Sequence, residues 1–262
     1  MEQQKTRMPA IFVGHGSQMI ALEHNDLTAT YKELGQTILK RFGRPKAILM
    51  ISAHWYTRGT LVQSAEKPRQ VYDMYGFPPE LYELKYEPAG CADLTKEVAD
   101  LLGDGVEVDD SWGIDHGAWS ILVHIFPRAD IPVVQLSVNG LMDTRQSYEL
   151  GQRLAMLREK GYLIMGSGNV VHNLRLVEWE NEHGNPAADR FDEAIKSAIE
   201  ARDDEAVIDF HRYPDADYAV PTPDHFLPLL YILGASQGES PYIFNNVRNL
   251  GSMALTGYAF GL

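Results

Sequence analysis

The chain has 262 residues, 45% hydrophobic and 23% charged, the composition of a globular protein long enough to bury a substantial core. A formal charge of −13 sets it against nucleic-acid phosphates and anionic membranes, so neither is an expected partner. One cysteine, Cys91, excludes an internal disulfide and a thiolate zinc cluster, and the expected setting is reducing and cytoplasmic.

Residues 1–7 (MEQQKTR) are polar and read as a dispensable tail, with no signal-peptide core and no later run of about 20 apolar residues to cross a membrane. Residues 8–262 show no repeat or linker and read as one domain. Ala10–Val13 reads as a buried strand and Asp26–Phe42 as a helix with an acidic start. Ala47–Ser52 is a second buried strand, and Thr60–Gln63 a third at an edge. Tyr72–Pro88, rich in aromatics, Pro and Gly, reads as a long excursion with one short helix; its aromatics either line a pocket or cover the sheet edge. Cys91 stands at a helix start and reads as an inert small residue. Asp93–Leu102 has a helical pattern, Val106–Val108 is a short strand, and His116–Phe126 is a buried helix. Ile131–Val138 is a strong central strand, Thr144–Lys160 an amphipathic helix, and Tyr162–Gly166 another strand. Ala187–Arg202 is helical. Pro223–Leu233 is an apolar helix with Thr222 as N-cap and Pro228 as a bend. Tyr242–Phe244 and Met253–Ala259 read as closing antiparallel strands. The alternation predicts an α/β fold with a central, mostly parallel or mixed sheet flanked by helices.

Nine histidines are present, and three follow directly from apolar strands. They are His15 in Gly14-His15-Gly16-Ser17, His54 in Ala53-His54-Trp55, and His172 after Ser167-Gly168-Asn169. Parallel strands put their carboxyl ends on one edge, where ligands bind in open α/β sheets, so these three are expected to converge. Taken singly, each reads as a hydrogen-bonded turn histidine; three at three strand ends point to a site, and a metal would hold crowded imidazoles neutral. His225, in the first turn of an apolar helix, reads equally as a fourth member or a packing residue. His116 opens another helix, whose dipole favours its neutral form, and reads as a proton-transfer or hydrogen-bonding group or as a cap. Trp112 and Trp119 are placed to shield it. His24, His124, His183 and His211 read as structural. No HExxH, P-loop, GxGxxG or GxSxG pattern occurs.

GHGS at 14–17, SAHW at 52–55, DHGAW at 115–119, SGNVVHN at 167–173 and TPDHFLPLLY at 222–231 resemble, in order, the 4,5-DOPA extradiol dioxygenases of the class III, LigB-type ring-cleavage enzymes. The resemblance spans Met8 to the C-terminus. It implies a LigB-type catalytic domain over 8–262, with the metal site at the carboxyl ends of the strands. His15, His54 and His225 are implied as metal ligands. His172 is implied as acid/base and candidate fourth ligand, and His116 as a histidine contacting substrate or oxygen. The implied metal is Fe(II), with Zn(II) often found in its place. The implied partners are a small catechol and O2, in a monomer or small homo-oligomer. The alternative functions are a zinc-dependent hydrolase on the same cluster and a non-catalytic metal-binding module. Gln18 stands where family members commonly have Pro, which is expected to alter the loop after His15. A ligand set of three neutral histidines is expected to leave a more positive metal than two histidines and a carboxylate.

Overall fold

Unbroken aliphatic runs leave no polar face for water, so they are stable only where both sides of a sheet are covered. The computed structural model, which describes residues 7–262, places such runs side by side. In chain order the elements are β1 (Ala10–Gly14), α1 (Asp26–Phe42), β2 (Ile48–Thr57), β3 (Leu61–Val62), α2 (Pro79–Glu83), α3 (Ala92–Leu102), β4 (Glu107–Val108), α4 (His116–Ile125), β5 (Val133–Asn139) and α5 (Thr144–Leu154). There follow α6 (Met156–Glu159), β6 (Leu163–Gly168), α7 (Pro186–Glu200), α8 (Asp204–Ile208), α9 (Ala216–Ala219), α10 (Leu227–Ser236), β7 (Pro241–Phe244), β8 (Arg248–Asn249), β9 (Met253–Ala254) and β10 (Gly257–Phe260).

Eight strands form one sheet in the order β4-β3-β5-β2-β6-β1-β10-β7. β5, β2, β6 and β1 run parallel, so their carboxyl ends share an edge. β10 and β7 close one side antiparallel, and β3 pairs antiparallel with β5. The expected α/β class with a mixed sheet is what forms. Successive residues of each strand point to opposite faces. Phe12, Leu49, Ile51, Leu136 and Ile164 therefore enter one core with α5, α7 and α10, while Ile11, Val13, Met50, Leu163 and Met165 enter the other with α1 and α4. No helix among the described residues is long and apolar enough to cross a membrane.

Caps fix the helix starts. Asn25 and Thr28 form a reciprocal capping box on α1, and Asp143 and Gln146 do the same on α5. The Asp115 side chain accepts from the Ala118 N–H and so caps α4.

Several expectations need correction. β3 is not an edge strand, because β4 pairs outside it. The Thr144–Lys160 helix is divided at Ala155, whose N–H bonds three residues back to Gln152. Pro223–His225 forms a separate 3-10 turn, Thr222 supplies no side-chain cap, and α10 begins only at Leu227. Pro228 lies in the first turn of α10, where its missing N–H has no partner to lose, rather than inside the helix. The Met253–Ala259 strand is two: β9 pairs with β8 in a small ribbon, and only β10 joins the main sheet. Residues 1–6 of the expected tail lie outside the described residues. Arg7 is described, and it bonds Gln237.

Candidate metal centre

The carboxyl ends of β1, β2 and β6, the start of α4 and the turn before α10 converge. His15 follows β1 directly, and its N–H donates to the Gly168 carbonyl at 3.1 Å. His54 lies within β2, where the register with β5 jumps from Ser52↔Ser137 to Tyr56↔Val138. Ala53, His54 and Trp55 are thus an extra loop of strand, and a bulge of this kind re-aims a side chain. At the end of β6, Asn169 N–H donates to the His225 carbonyl at 2.9 Å. A Cβ on Gly168 would stand 2.2 Å from that carbonyl oxygen, so only glycine lets β6 and the Pro223–His225 turn meet backbone to backbone. Gly117 has a related reason: a Cβ there would meet Ser52 Oγ at 2.8 Å and His54 Nδ1 at 3.0 Å.

All five predicted histidines come together. The His15 ring centroid is 4.9 Å from His54, 5.3 Å from His225 and 6.1 Å from His116. His54 is 3.9 Å from His116. His172 lies flat on His225, with centroids 3.5 Å apart and planes 6° from parallel. Ring nitrogens of His15, His54 and His116 all lie within 4.8 Å of one another. The four histidines read as structural stay outside the cluster; His124, for example, bonds the Ile20 carbonyl at 2.8 Å through Nε2.

Hydrogen bonds fix a proton on Nδ1 in two of the five. Ser167 Oγ donates to the Gly117 carbonyl at 2.5 Å, so toward His15 Nδ1, at 2.9 Å, it can only accept. His15 therefore carries its proton on Nδ1 and turns a bare Nε2 to the cluster. His225 Nδ1 is held by the Asp224 carboxylate. His54 Nδ1 lies 3.3 Å from Asp73 Oδ2 and 3.7 Å from Asp115 Oδ1. The Gly117 N–H also points at His54 Nδ1 from 3.2 Å, which would suit the other tautomer. The hydrogen bonds alone therefore put the His54 proton on Nε2, toward His225, while the two carboxylates are placed to hold a proton on Nδ1 once Nε2 is taken by a cation. The outcome at His54 and His225 is two Nε2 atoms 3.3 Å apart. His116 differs: Asp73 Oδ1 is 2.9 Å from its Nδ1 yet off the N–H direction, and this buried nitrogen has no aligned partner.

Burial, and then the neighbouring imidazoles, lower the pKa of His15 well below its ordinary value. Burial is also the main cause that lowers His225 and His116, against the opposing pull of Asp224 and Asp73. His172 falls to about 3, from burial and then His225. At His54, burial works against the charged ring, but Asp115, Asp73 and Asp224 prevail and its pKa is raised. Burial alone would raise Asp115 and Asp224; their histidine partners instead hold both well below the carboxylate range.

The cluster is therefore a set of imidazole nitrogens facing inward with Asp73, Asp115 and Asp224 behind it. These carboxylates offset the excess positive charge that an all-histidine ligand set suggests from sequence. Asp115 is fixed by Ser52 Oγ (2.7 Å), Trp112 Nε1 (3.0 Å) and Gln135 Nε2 (2.9 Å). Sequence reasoning assigned no role to Asp73, Ser52 or Ser167. Asp115 and Asp224 each precede a histidine of the cluster, a local signal that could have found them; Asp73, in the aromatic excursion, offered none. That excursion mostly covers the core: Leu81 and Tyr86 are buried and Tyr72 packs on Trp119, while Tyr75 is 92% exposed. Ser17 accepts from the Met19 N–H, and Gln18 opens the 3-10 turn that follows.

Residues 9–261 match the family described as the catalytic LigB subunit of aromatic ring-opening dioxygenase. The chain is 41% identical to a 4,5-DOPA dioxygenase extradiol of Escherichia coli K12 over 242 residues, 90% of this chain and 88% of that one. It is 36% identical to a protein of the same name from Beta vulgaris over 256 residues, 95% of each. The crystal structure of an uncharacterised protein from Escherichia coli K12 superposes with a TM-score of 0.83 at 36% identity, covering 97% of this chain and 100% of that one.

Proposed function

The chain belongs to the family of the catalytic LigB subunit of aromatic ring-opening dioxygenases, and from that premise we propose that it cleaves a small, DOPA-like catechol in the extradiol manner with O2. His15, His54 and His225 hold the metal, and Fe(II) is the working ion. One observation carries this reading: His15 and His225 have Nδ1 held by an acceptor, which turns a bare Nε2 inward, and two carboxylates flank His54 Nδ1 while its Nε2 faces His225. This is the pattern of metal-binding histidines, whose outer ring nitrogen is held by a carboxylate or other acceptor.

The donor set fits a divalent ion. The Nε2 atoms of His54 and His225 stand 3.3 Å apart, a spacing that requires a proton or a cation between them. Nitrogens bound at about 2.1 Å to one tetrahedral ion stand ~3.4 Å apart, close to the separation found. Three carboxylates behind the rings complete the case for a cation. Bound there, Fe(II) supplies the one-electron chemistry that O2 and a catechol need to react, which the filled d shell of Zn(II) cannot supply.

The chain's own residues do the rest. His172 has no side-chain partner fixing its tautomer among the described hydrogen bonds, so we assign it proton transfer rather than a fourth ligand position. Its lowered pKa keeps the ring neutral and able to accept a proton from a catechol hydroxyl. Negative charge arriving on that oxygen favours the protonated ring, which can hold this proton and return it to an oxygen of the ring-opened product. The flat stack on His225 fixes the plane in which His172 works. His116, also neutral, offers a ring edge to the substrate. Trp119 is fully buried and Trp112, half-buried, bonds Asp115, so both are placed to limit water.

The test is oxygen uptake by Fe(II)-reconstituted protein given L-DOPA, with absorbance for a yellow ring-opened product. Uptake with colour is expected, and His172→Phe should abolish it while binding metal normally. No uptake with simple catechols despite bound iron would overturn the dioxygenase reading in favour of a zinc hydrolase or a binding module. Full activity in His172→Phe would remove that residue's proton-transfer role.

A further inference from the structure

Asp73 is the one acidic side chain that the excursion after β3 brings to the histidine cluster. Its two oxygens are divided. Oδ1 accepts the His116 backbone N–H at 2.9 Å and lies 2.9 Å from His116 Nδ1, while Oδ2 lies 3.3 Å from His54 Nδ1. The carboxylate is largely buried, with 13% of its side-chain surface exposed. Upstream of it the segment is well tied: Val71 N–H donates to the Ile114 carbonyl, Ile114 N–H donates to the Arg69 carbonyl, and Trp119 Nε1 donates to the Val71 carbonyl. Just past Asp73 the chain turns outward, with Tyr75 92% exposed and Gly76 at φ 78.

We propose that Asp73 is a positioning residue joining the Val71–Phe77 segment to the metal-binding cluster, so that binding a divalent cation and seating this segment stabilise each other. The inference rests on the reading of His54 as a ligand. A cation on His54 Nε2 would leave the ring's proton on Nδ1 and make that N–H a strong donor. The acceptor nearest that donor is Asp73. Its carboxylate in turn makes His54 more basic and holds the ring's orientation. Because binding free energies are linked, whatever the ion gains from a seated Asp73, the segment gains from the ion. The unaligned contact at His116 Nδ1 fits this account: one carboxylate faces two imidazoles and a backbone N–H and cannot align with all three.

The experiment compares wild type, Asp73→Asn, Asp73→Glu and His54→Ala with Zn(II) as the probe. Affinity is read by competition with a chromophoric chelator, and hydrogen exchange of the backbone amides of 71–77 is followed with and without Zn(II). In wild type Zn(II) should slow exchange in this segment. Asp73→Asn should bind Zn(II) about 10–100-fold more weakly and lose the metal-dependent slowing, and Asp73→Glu should recover part of both. Equal affinity in Asp73→Asn and wild type overturns the inference, and so does weakened affinity with the slowing intact, since that would be a charge effect without positioning. If Asp73→Asn does not fold, Asp73→Glu carries the test, because a longer side chain with the same charge must still shift both readouts. His54→Ala separates the two readings. If it binds Zn(II) as wild type does, the ligand assignment fails and this inference with it; if it loses Zn(II) while Asp73→Asn does not, only this inference fails.

Discussion

Ser167→Ala tests the logic of the cluster at a residue that touches neither metal nor substrate. Ser167 is fully buried, and its hydroxyl joins the His15 ring to the Gly117 carbonyl. Alanine removes both bonds and leaves His15 Nδ1–H and the carbonyl facing an apolar methyl, with no room for water. Each buried group left unpaired costs about 1–3 kcal/mol, so a loss of ~2–6 kcal/mol in unfolding free energy is expected. The effect on the metal is separate. Without an acceptor at Nδ1, His15 can place its proton on Nε2, the atom the ion needs. Loss of such an outer partner lowers metal affinity about 10–100-fold, equivalent to ~1.4–2.7 kcal/mol. The assays are urea unfolding of metal-free protein and Zn(II) competition at a pH where the imidazoles are neutral. Unchanged affinity alongside the stability loss would refute the tautomer argument, since the bond to Ser167 would then serve packing alone.

Gly117→Ala should lower metal affinity with little gain in stability. Alanine suits a helix better, but its methyl would press His54 Nδ1 at 3.0 Å and Ser52 Oγ at 2.8 Å. Zn(II) competition against a thermal melt separates the two effects, and wild-type affinity would show that His54 can yield. His124 gives a pH prediction away from the metal. Burial chiefly lowers its pKa below 6.5, although the Ile20 carbonyl opposes this. The unfolded chain therefore holds the proton more tightly than the folded one. Stability from neutral His124 is complete above about pH 6.5 and is lost as pH falls through the folded pKa. His124→Gln, which keeps a donor for Ile20, should reduce the fall in Tm between pH 7 and pH 5, and parallel slopes would remove His124 from the acid response.

Much of the site was legible because its chemistry follows buried strands. Ala10–Val13 and Tyr162–Gly166 announce where β1 and β6 end, and the histidines come just after. The α1 boundaries, Asp26 and Phe42, agree with the pattern because Asn25 and Gly43 mark them locally. The bulge at Ala53–Trp55 was not legible. It exists because β2 pairs with β5 on both sides of three unpaired residues, and nothing in Ala-His-Trp encodes that mismatch. Asp73 was missed for a similar reason. Its role arises only when the excursion folds back along Ile114, a pairing between segments far apart in sequence. The break between the Pro223–His225 turn and α10 was hidden because Thr222 and Pro223 are sound start signals. The turn they open is instead held by the end of β6.

β1, the strand that delivers His15, lies between β6 and β10. A ribosome makes β1 first among the strands of this sheet and β10 last. On a growing nascent chain, β1 can find β6 only after most of the polypeptide has emerged, and its other edge stays unpaired until Gly257–Phe260 follow. An apolar strand with an open edge is prone to mispairing, so this order of manufacture exposes β1 to that hazard until β10 emerges. It also means that no short early fragment holds His15, His54 and His225 together.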